Sequence, residues 1–283
     1  MGDRLFVLMQ YLLPQHLISR VVGMLAASTM PVIKDPFIRT FIKRFKVNMD
    51  EAERQHPSEF DSFNDFFTRS LKADARPIDH NPKHLACPVD GAISQLGKIN
   101  GQNVFQAKGH DFNLTTLLGG SEELAAPFID GDFATIYLAP KDYHRIHMPC
   151  DGTLTHMVHV PGQLFSVNQV TAAQVPGLFA RNERVVAIFD TEFGPMAMVL
   201  VGAMIVASVE TVWAGLVCPK GKTVSQVSYA NQEPIVLKKG EEMGRFKLGS
   251  TVVMCLPKDT TQWPKELSAG TTTRLGQMLA ELT

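Results

Sequence analysis

Four polar side chains, far apart along the chain, could act on one bond. They are Asp90 in Pro88-Val89-Asp90-Gly91, His144 and His147 in Tyr143-His144-Arg145-Ile146-His147, and Ser250 in Leu248-Gly249-Ser250-Thr251. A carboxylate that orients an imidazole, an imidazole that takes a proton and a hydroxyl that attacks a carbonyl are the parts of acyl-transfer chemistry. Each piece alone also has a plain structural use. Asp-Gly and Gly-Ser mark turns, and two histidines in a polar stretch fit a surface or a satisfied core. Gly249 adds a specific possibility. It sets no side chain beside its carbonyl, so the Ser250 hydroxyl on the next residue can approach it. The Gly249–Ser250 bond is therefore a candidate for self-cleavage. A hydrolase would place its serine in a G-x-S-x-G elbow, which is absent at Ser250. Zinc bound by Asp90, His144 and His147 is the competing chemistry, although H-x-x-H comes here without a third marked ligand. A non-catalytic membrane-binding β module is the third reading.

The elements that must position these residues are mostly strands. From residue 87 onward, short apolar runs alternate with turns. The runs span 92–99, 104–107, 133–139, 153–160, 185–189, 196–209, 235–237 and 251–256; the turns include Asp90-Gly91, Asn100-Gly101, Asp130-Gly131 and Asp151-Gly152. That spacing predicts a largely antiparallel sheet or sandwich. Leu275, Met278, Leu279 and Leu282 share one helical face, which predicts a short C-terminal helix. The fold class expected is α+β: N-terminal amphipathic helices over residues 1–70 and a β-rich catalytic body over 71–283.

The first seventy residues read as helices. Leu17, Ile18, Val21, Val22 and Leu25 form one stripe; Phe37, Ile38, Phe41, Ile42 and Phe45 form a second, after an Asp35-Pro36 start. Residues 1–50 hold seven basic groups against three acidic ones, in a chain of 283 residues with net charge −1. An apolar face rich in phenylalanine, backed by basic residues, suits an anionic bilayer surface; packing of the same face on a core is the alternative. The aromatic spacing of Ser62–Arg69 predicts a short packed helix rather than a cofactor box. The near-neutral charge argues against a nucleic-acid partner. The stretch 5–19 is too short and too polar to span a bilayer and lacks the marks of a signal peptide. Cys87, Cys150, Cys218 and Cys255 follow no disulfide or metal spacing, as in a reducing cytoplasm.

Taken together and in order, these motifs resemble a known family. Pro-Val-Asp-Gly, Tyr-His-Arg-Ile-His-Met-Pro, the Pro161–Asn168 loop, Asn182-Glu183-Arg184 and Leu-Gly-Ser-Thr closely resemble the bacterial phosphatidylserine decarboxylase proenzymes, over nearly the whole chain. The resemblance implies that Ser250 attacks the Gly249 carbonyl, with His147 as general base and Asp90 as its orienting anion. It implies cleavage into a β chain, 1–249, and an α chain, 250–283, whose first residue becomes a pyruvoyl group. That ketone would condense with the substrate amine and serve as an electron sink during loss of carbon dioxide. His144 is the candidate for handling the substrate carboxylate or the returning proton. The partners implied are phosphatidylserine in an anionic membrane, the two chains as a heterodimer, and a homodimer of these. The expected location is the cytoplasmic face of the bacterial inner membrane, held peripherally.

Overall fold

The computed structural model describes residues 2–204, 208–219, 221–247 and 250–283. Leu248 and Gly249, one side of the expected cleavage site, lie outside the described residues.

The centre is a nine-stranded antiparallel sheet. Its middle runs Gly152–Val160, Arg184–Thr191, Gly194–Val201, Ser250–Leu256, Asp132–Leu138 and Gly91–Lys98. Ser250–Leu256 thus sits between Gly194–Val201 and Asp132–Leu138, with Ser250 paired to Leu138 and Thr251 to Tyr137 and Val201. All seven of its residues are buried. The alternation of a strand explains this: Val253 and Cys255 enter one core cluster, while Val252, Met254 and Leu256 enter the other. A sheet covered on both faces needs an unbroken apolar run, and 251–256 supplies one. A Cβ at Gly91 would lie 2.3 Å from the Tyr137 carbonyl oxygen. The Asp90-Gly91 pair therefore allows the strand after Asp90 to lie close against the sheet.

A smaller four-stranded sheet holds Gly215–Cys218, Ser208–Thr211, Glu242–Lys247 and Arg145–His147 in that order. The apolar stretch 196–209 is divided between the two sheets, as Gly194–Val201 and a strand beginning at Ser208; residues 205–207 lie outside the described residues.

Three sequence expectations change. The C-terminal helix is instead a strand, Met278–Leu282, paired with His84–Ala86 and Thr261–Gln262. Gly276, at φ 84° and packed so that a Cβ would meet the Pro77 carbonyl oxygen, breaks any helix before it forms. The helix expected to start at Asp35-Pro36 starts earlier. It spans Pro31–Phe45, with Pro31 at its first turn and Pro36 inside. Finally, the phenylalanine face of that helix turns inward except at its end, where Phe45 stays exposed. Phe37 stacks on Phe63 at 4.0 Å, Phe41 meets Phe63, Phe66 and Phe67, and Ile38 is fully buried. Phe63–Phe67 is the short packed helix expected there.

The outward apolar face belongs to the two helices before it, α1 (Gly2–Leu12) and α2 (Gln15–Ala26). Leu5, Leu8, Met9, Leu12, Leu17 and Met24 point to solvent. Two of their polar residues point in: the buried Gln10 accepts from Ser166 N, and Gln15 accepts from Leu164 N. Among the described residues, no single helix is long and apolar enough to cross a membrane; α1 and α2 together have the composition but are bent by 88°.

Candidate active site

The two sheets meet where the chain passes from Glu242–Lys247 to Ser250–Leu256. His147 lies on a strand paired with the first of these, and Ser250 opens the second. The described chain leaves one sheet at Lys247 and enters the other at Ser250. Ser250 is fully buried, and its Oγ has no hydrogen-bond partner among the described residues. A buried hydroxyl without a partner is costly in a purely structural role. A nucleophile held ready, or the precursor of a group made in place, fits that arrangement.

His147 Nδ1 lies 2.8 Å from the Gly240 carbonyl oxygen and Nε2 lies 3.2 Å from Tyr143 Oη. A carbonyl only accepts, so Nδ1 carries the proton and Nε2 keeps its lone pair. Burial pushes the imidazole below its ordinary value, against the Gly240 carbonyl and the charges of Glu242 and Asp90. Burial pushes Tyr143 up to about 12, so its hydroxyl stays protonated and donates to Nε2. The result is a neutral imidazole with its basic nitrogen hydrogen-bonded to a phenol.

Asp90 is buried and heavily engaged. Its Oδ1 accepts from Arg76 Nε at 2.8 Å and from Leu275 N at 2.9 Å, while Arg76 Nη2 reaches Oδ2. Arg76 also pairs with Glu51 at 2.9 Å. Burial alone would lower the guanidinium, but the bonds to Asp90 and Glu51 outweigh it and raise it. Asp90 is close enough to His147 for its charge to favour imidazolium, yet the two share no hydrogen bond. They open onto neighbouring cavities of about 230 and 260 Å³ that share Leu71, Arg76 and Tyr143.

His144 is fully buried and stacked on Phe67 at 4.0 Å. Its Nε2 donates to the Ala139 carbonyl at 3.1 Å, and Nδ1 has no partner among the described residues. Burial, then the nearby Arg69, holds it down to about 3, so it is neutral. Ala139 follows Leu138, the cross-strand partner of Ser250. His144 is thereby tied to the residue beside Ser250's partner.

The structure thus gathers Asp90 and His147 around Tyr143 and ties His144 to the sheet position of Ser250. It draws no hydrogen bond between Ser250 Oγ and either histidine among the described residues. Asp90, His144 and His147 do not converge as metal ligands, since Arg76 occupies the carboxylate. Among the described residues, the one group of three with ligand atoms mutually within 4.8 Å lies elsewhere.

Sequence reading missed Arg76, Tyr143 and Arg69. Arg69 lines the 230 Å³ cavity with Lys46, Arg76 and Lys141, facing Asp90 and Asp142. It is buried; Nη2 donates to Lys141 O, while Nε and Nη1 have no partner among the described residues. Such a cavity can take an anionic group. Tyr143 was within reach of inspection, standing four residues before His147 in an irregular polar stretch. Arg76 carries no local signal: it sits in what reads as an extended crossover. Two other quoted motif residues, Asn182 and Arg184, are scaffold. Asn182 bonds to Phe165 and Gly202, and the buried Arg184 caps the carbonyls of Thr116, Leu117 and Asn182.

Comparison with known proteins shows the family. The family model for phosphatidylserine decarboxylase matches residues 63–281, and a model described as PSD matches 5–46. A phosphatidylserine decarboxylase proenzyme of Pseudoalteromonas atlantica is 60% identical over 286 residues, covering 100% of both chains. Proteins of the same name from Ectopseudomonas mendocina and Bordetella avium are 58% and 57% identical, over 99% and 98% of this chain and 98% and 95% of theirs. The chain belongs to the phosphatidylserine decarboxylase family.

Proposed function

We propose that the chain is a proenzyme that cuts itself between Gly249 and Ser250 and then decarboxylates phosphatidylserine to phosphatidylethanolamine at a membrane. The observation that carries the reading is Ser250: fully buried, its hydroxyl unpartnered among the described residues, at the crossing between two sheets. Ser250 Oγ attacks the Gly249 carbonyl carbon and loses its proton, with His147 Nε2 as the acceptor. The peptide C–N bond breaks as the ester C–O bond forms, and the proton passes to the freed Ser250 nitrogen. Elimination across Ser250 Cα–Cβ then releases the Gly249 carboxylate. Hydrolysis of the remaining enamine frees ammonia and leaves residue 250 as a pyruvoyl group. That group supplies an electrophilic ketone and an electron sink for the carboxylate's bonding pair.

The surrounding residues do the rest. Asp90, fixed by Arg76, sets the field at His147. Arg69 and Lys141 offer charge to the substrate's anionic groups. His144 Nδ1 takes up a proton before it handles the carboxylate or returns that proton to the α-carbon. The α chain stays in place after cleavage because its Ser250–Leu256 strand is hydrogen-bonded on both sides. The expected particle is therefore an αβ heterodimer, which pairs into a homodimer of such units.

Residues 1–70 serve as the membrane-associating part and 71–283 as the catalytic part. The apolar face on α1 and α2, with exposed Arg39, Lys43, Arg44 and Lys46 nearby in sequence, suits the anionic cytoplasmic face of the inner membrane.

Intact-mass measurement under denaturing conditions tests the reading. It predicts two chains, with the 250–283 fragment lighter than a serine-terminated peptide by one ammonia. Ser250→Ala should remain a single chain. A wild-type chain that stays uncut after long incubation with membranes, or a fragment beginning with intact serine, overturns the proposal.

A further inference from the structure

Away from this site, three ligand-bearing side chains meet in the interior. His159 lies on Gly152–Val160, Glu183 directly precedes Arg184–Thr191, and Cys218 ends Gly215–Cys218. They are 2%, 4% and 1% exposed. One ligand atom from each lies within 4.8 Å of the other two. His159 Nε2 sits 3.0 Å from Glu183 Oε1, while His159 Nδ1 and Glu183 Oε2 have no hydrogen-bond partner among the described residues.

This is poor bookkeeping for an interior that binds nothing. A buried carboxylate should have its oxygens satisfied by donors or cations. The neighbouring Arg184 does not help, because its guanidinium is spent on the carbonyls of Thr116, Leu117 and Asn182. The Cys218 sulfur lies within 4.8 Å of that carboxylate. A divalent cation gives the carboxylate a positive partner and takes the sulfur as a thiolate ligand.

We propose that His159, Glu183 and Cys218 form a buried binding site for one divalent cation of the zinc class. Imidazole nitrogen, carboxylate oxygen and thiolate sulfur together suit a borderline-soft ion and not magnesium or calcium. Metal–ligand distances of about 2.0–2.3 Å put tetrahedral ligands roughly 3.3–3.8 Å apart, within the 4.8 Å limit that holds for all three pairs here. On binding, the Cys218 S–H bond breaks, a sulfur–metal bond forms and the proton leaves to solvent. Affinity therefore rises about tenfold per pH unit while the free thiol is protonated. The ion would clamp the nine-stranded sheet, through His159 and Glu183, to the four-stranded sheet, through Cys218. The proposal does not rest on the decarboxylase reading.

The test uses the full-length chain in detergent, stripped with a chelator and titrated with zinc against a chromophoric competitor, and separately with cobalt(II). One zinc per chain, release of a proton, and a near-ultraviolet thiolate-to-cobalt absorption are expected. Cys218→Ser should remove that absorption and weaken zinc by about 100-fold or more, and His159→Gln should weaken it likewise. The wild-type cobalt spectrum needs no variant, so a Cys218→Ser chain that fails to fold leaves the test intact. Absence of stoichiometric zinc, a cobalt spectrum without thiolate absorption, or undiminished binding in a folded Cys218→Ser chain overturns the proposal.

Discussion

Replacing Leu8, Leu12 and Leu17 together with serine tests the proposed membrane face separately from the fold. The three are 56%, 79% and 60% exposed, so they contribute little to folding. Burying a leucine side chain fully is worth about 2 kcal/mol, so moving these three from water into the acyl boundary regains about 4 kcal/mol. Losing that term weakens partitioning by roughly a thousandfold. The melting temperature should hold, because exposed positions away from special contacts shift stability by about 0.5 kcal/mol or less each. Flotation with liposomes containing anionic lipid reads the partition directly. The basic groups Arg39, Lys43, Arg44 and Lys46 add attraction of about 1 kcal/mol each near an anionic surface, and that part fades with salt. The leucine part does not, so the triple variant should differ most from wild type at high salt. Equal flotation of the two proteins at high salt would refute the assignment of the membrane face to α1 and α2.

Other perturbations probe the site. Arg76→Met leaves Asp90 buried without its bidentate partner, and should cost about 2–4 kcal/mol in urea denaturation and slow self-cleavage; Arg76→Lys should recover part of both. Burial lowers His147, so cleavage in wild type should be flat through neutral pH and fall only below the ordinary value of 6.5. Tyr143→Phe removes the donor that favours neutral imidazole, and the acid limb of the pH–rate profile should move upward. His144 drops from 6.5 unfolded to about 3 folded, so the unfolded chain takes up the proton first as pH falls. The stability tied to neutral His144 is full above 6.5 and is lost as pH drops toward 3, at roughly 1.4 kcal/mol per pH unit. Urea midpoints at several acidic pH values should show that slope shrink in His144→Gln.

The strands were largely readable because each is bounded by a turn pair and its apolar run is short. Val252–Leu256 is legible as a strand, and its lack of alternation already signals burial on both sides. What periodicity leaves open is the identity of the surface that covers a face. Phe37, Phe41 and Phe45 look the same whether a bilayer or Phe63 and Phe67 lie opposite, and tertiary packing decides it. Leu275, Met278, Leu279 and Leu282 fit a helix by spacing, but Gly276 and pairing with His84–Ala86 favour a strand. Asp90, His144, His147 and Ser250 were nameable because glycine, proline and histidine punctuate their motifs. Arg76 was not, because its partners Asp90 and Glu51 come from distant turns that only the folded chain brings together.

The placement of Ser250 explains why a self-cutting chain would use this position. Cutting within a strand would break the register of its sheet, and cutting in an outer loop would leave the new terminus in water. The chain leaves one sheet at Lys247 and enters another at Ser250, so each side of the proposed cut is held by its own strands. The four-stranded sheet keeps Glu242–Lys247 beside His147, and the central sheet keeps Ser250–Leu256 between two partners. A new group at residue 250 would then inherit a fixed direction from the strand behind it. Asp90, already committed to Arg76 and Leu275 N, acts on His147 through its charge and not through a hydrogen bond. In the proposed mechanism that permits the imidazole to take a proton during cleavage without losing its anchor at Gly240.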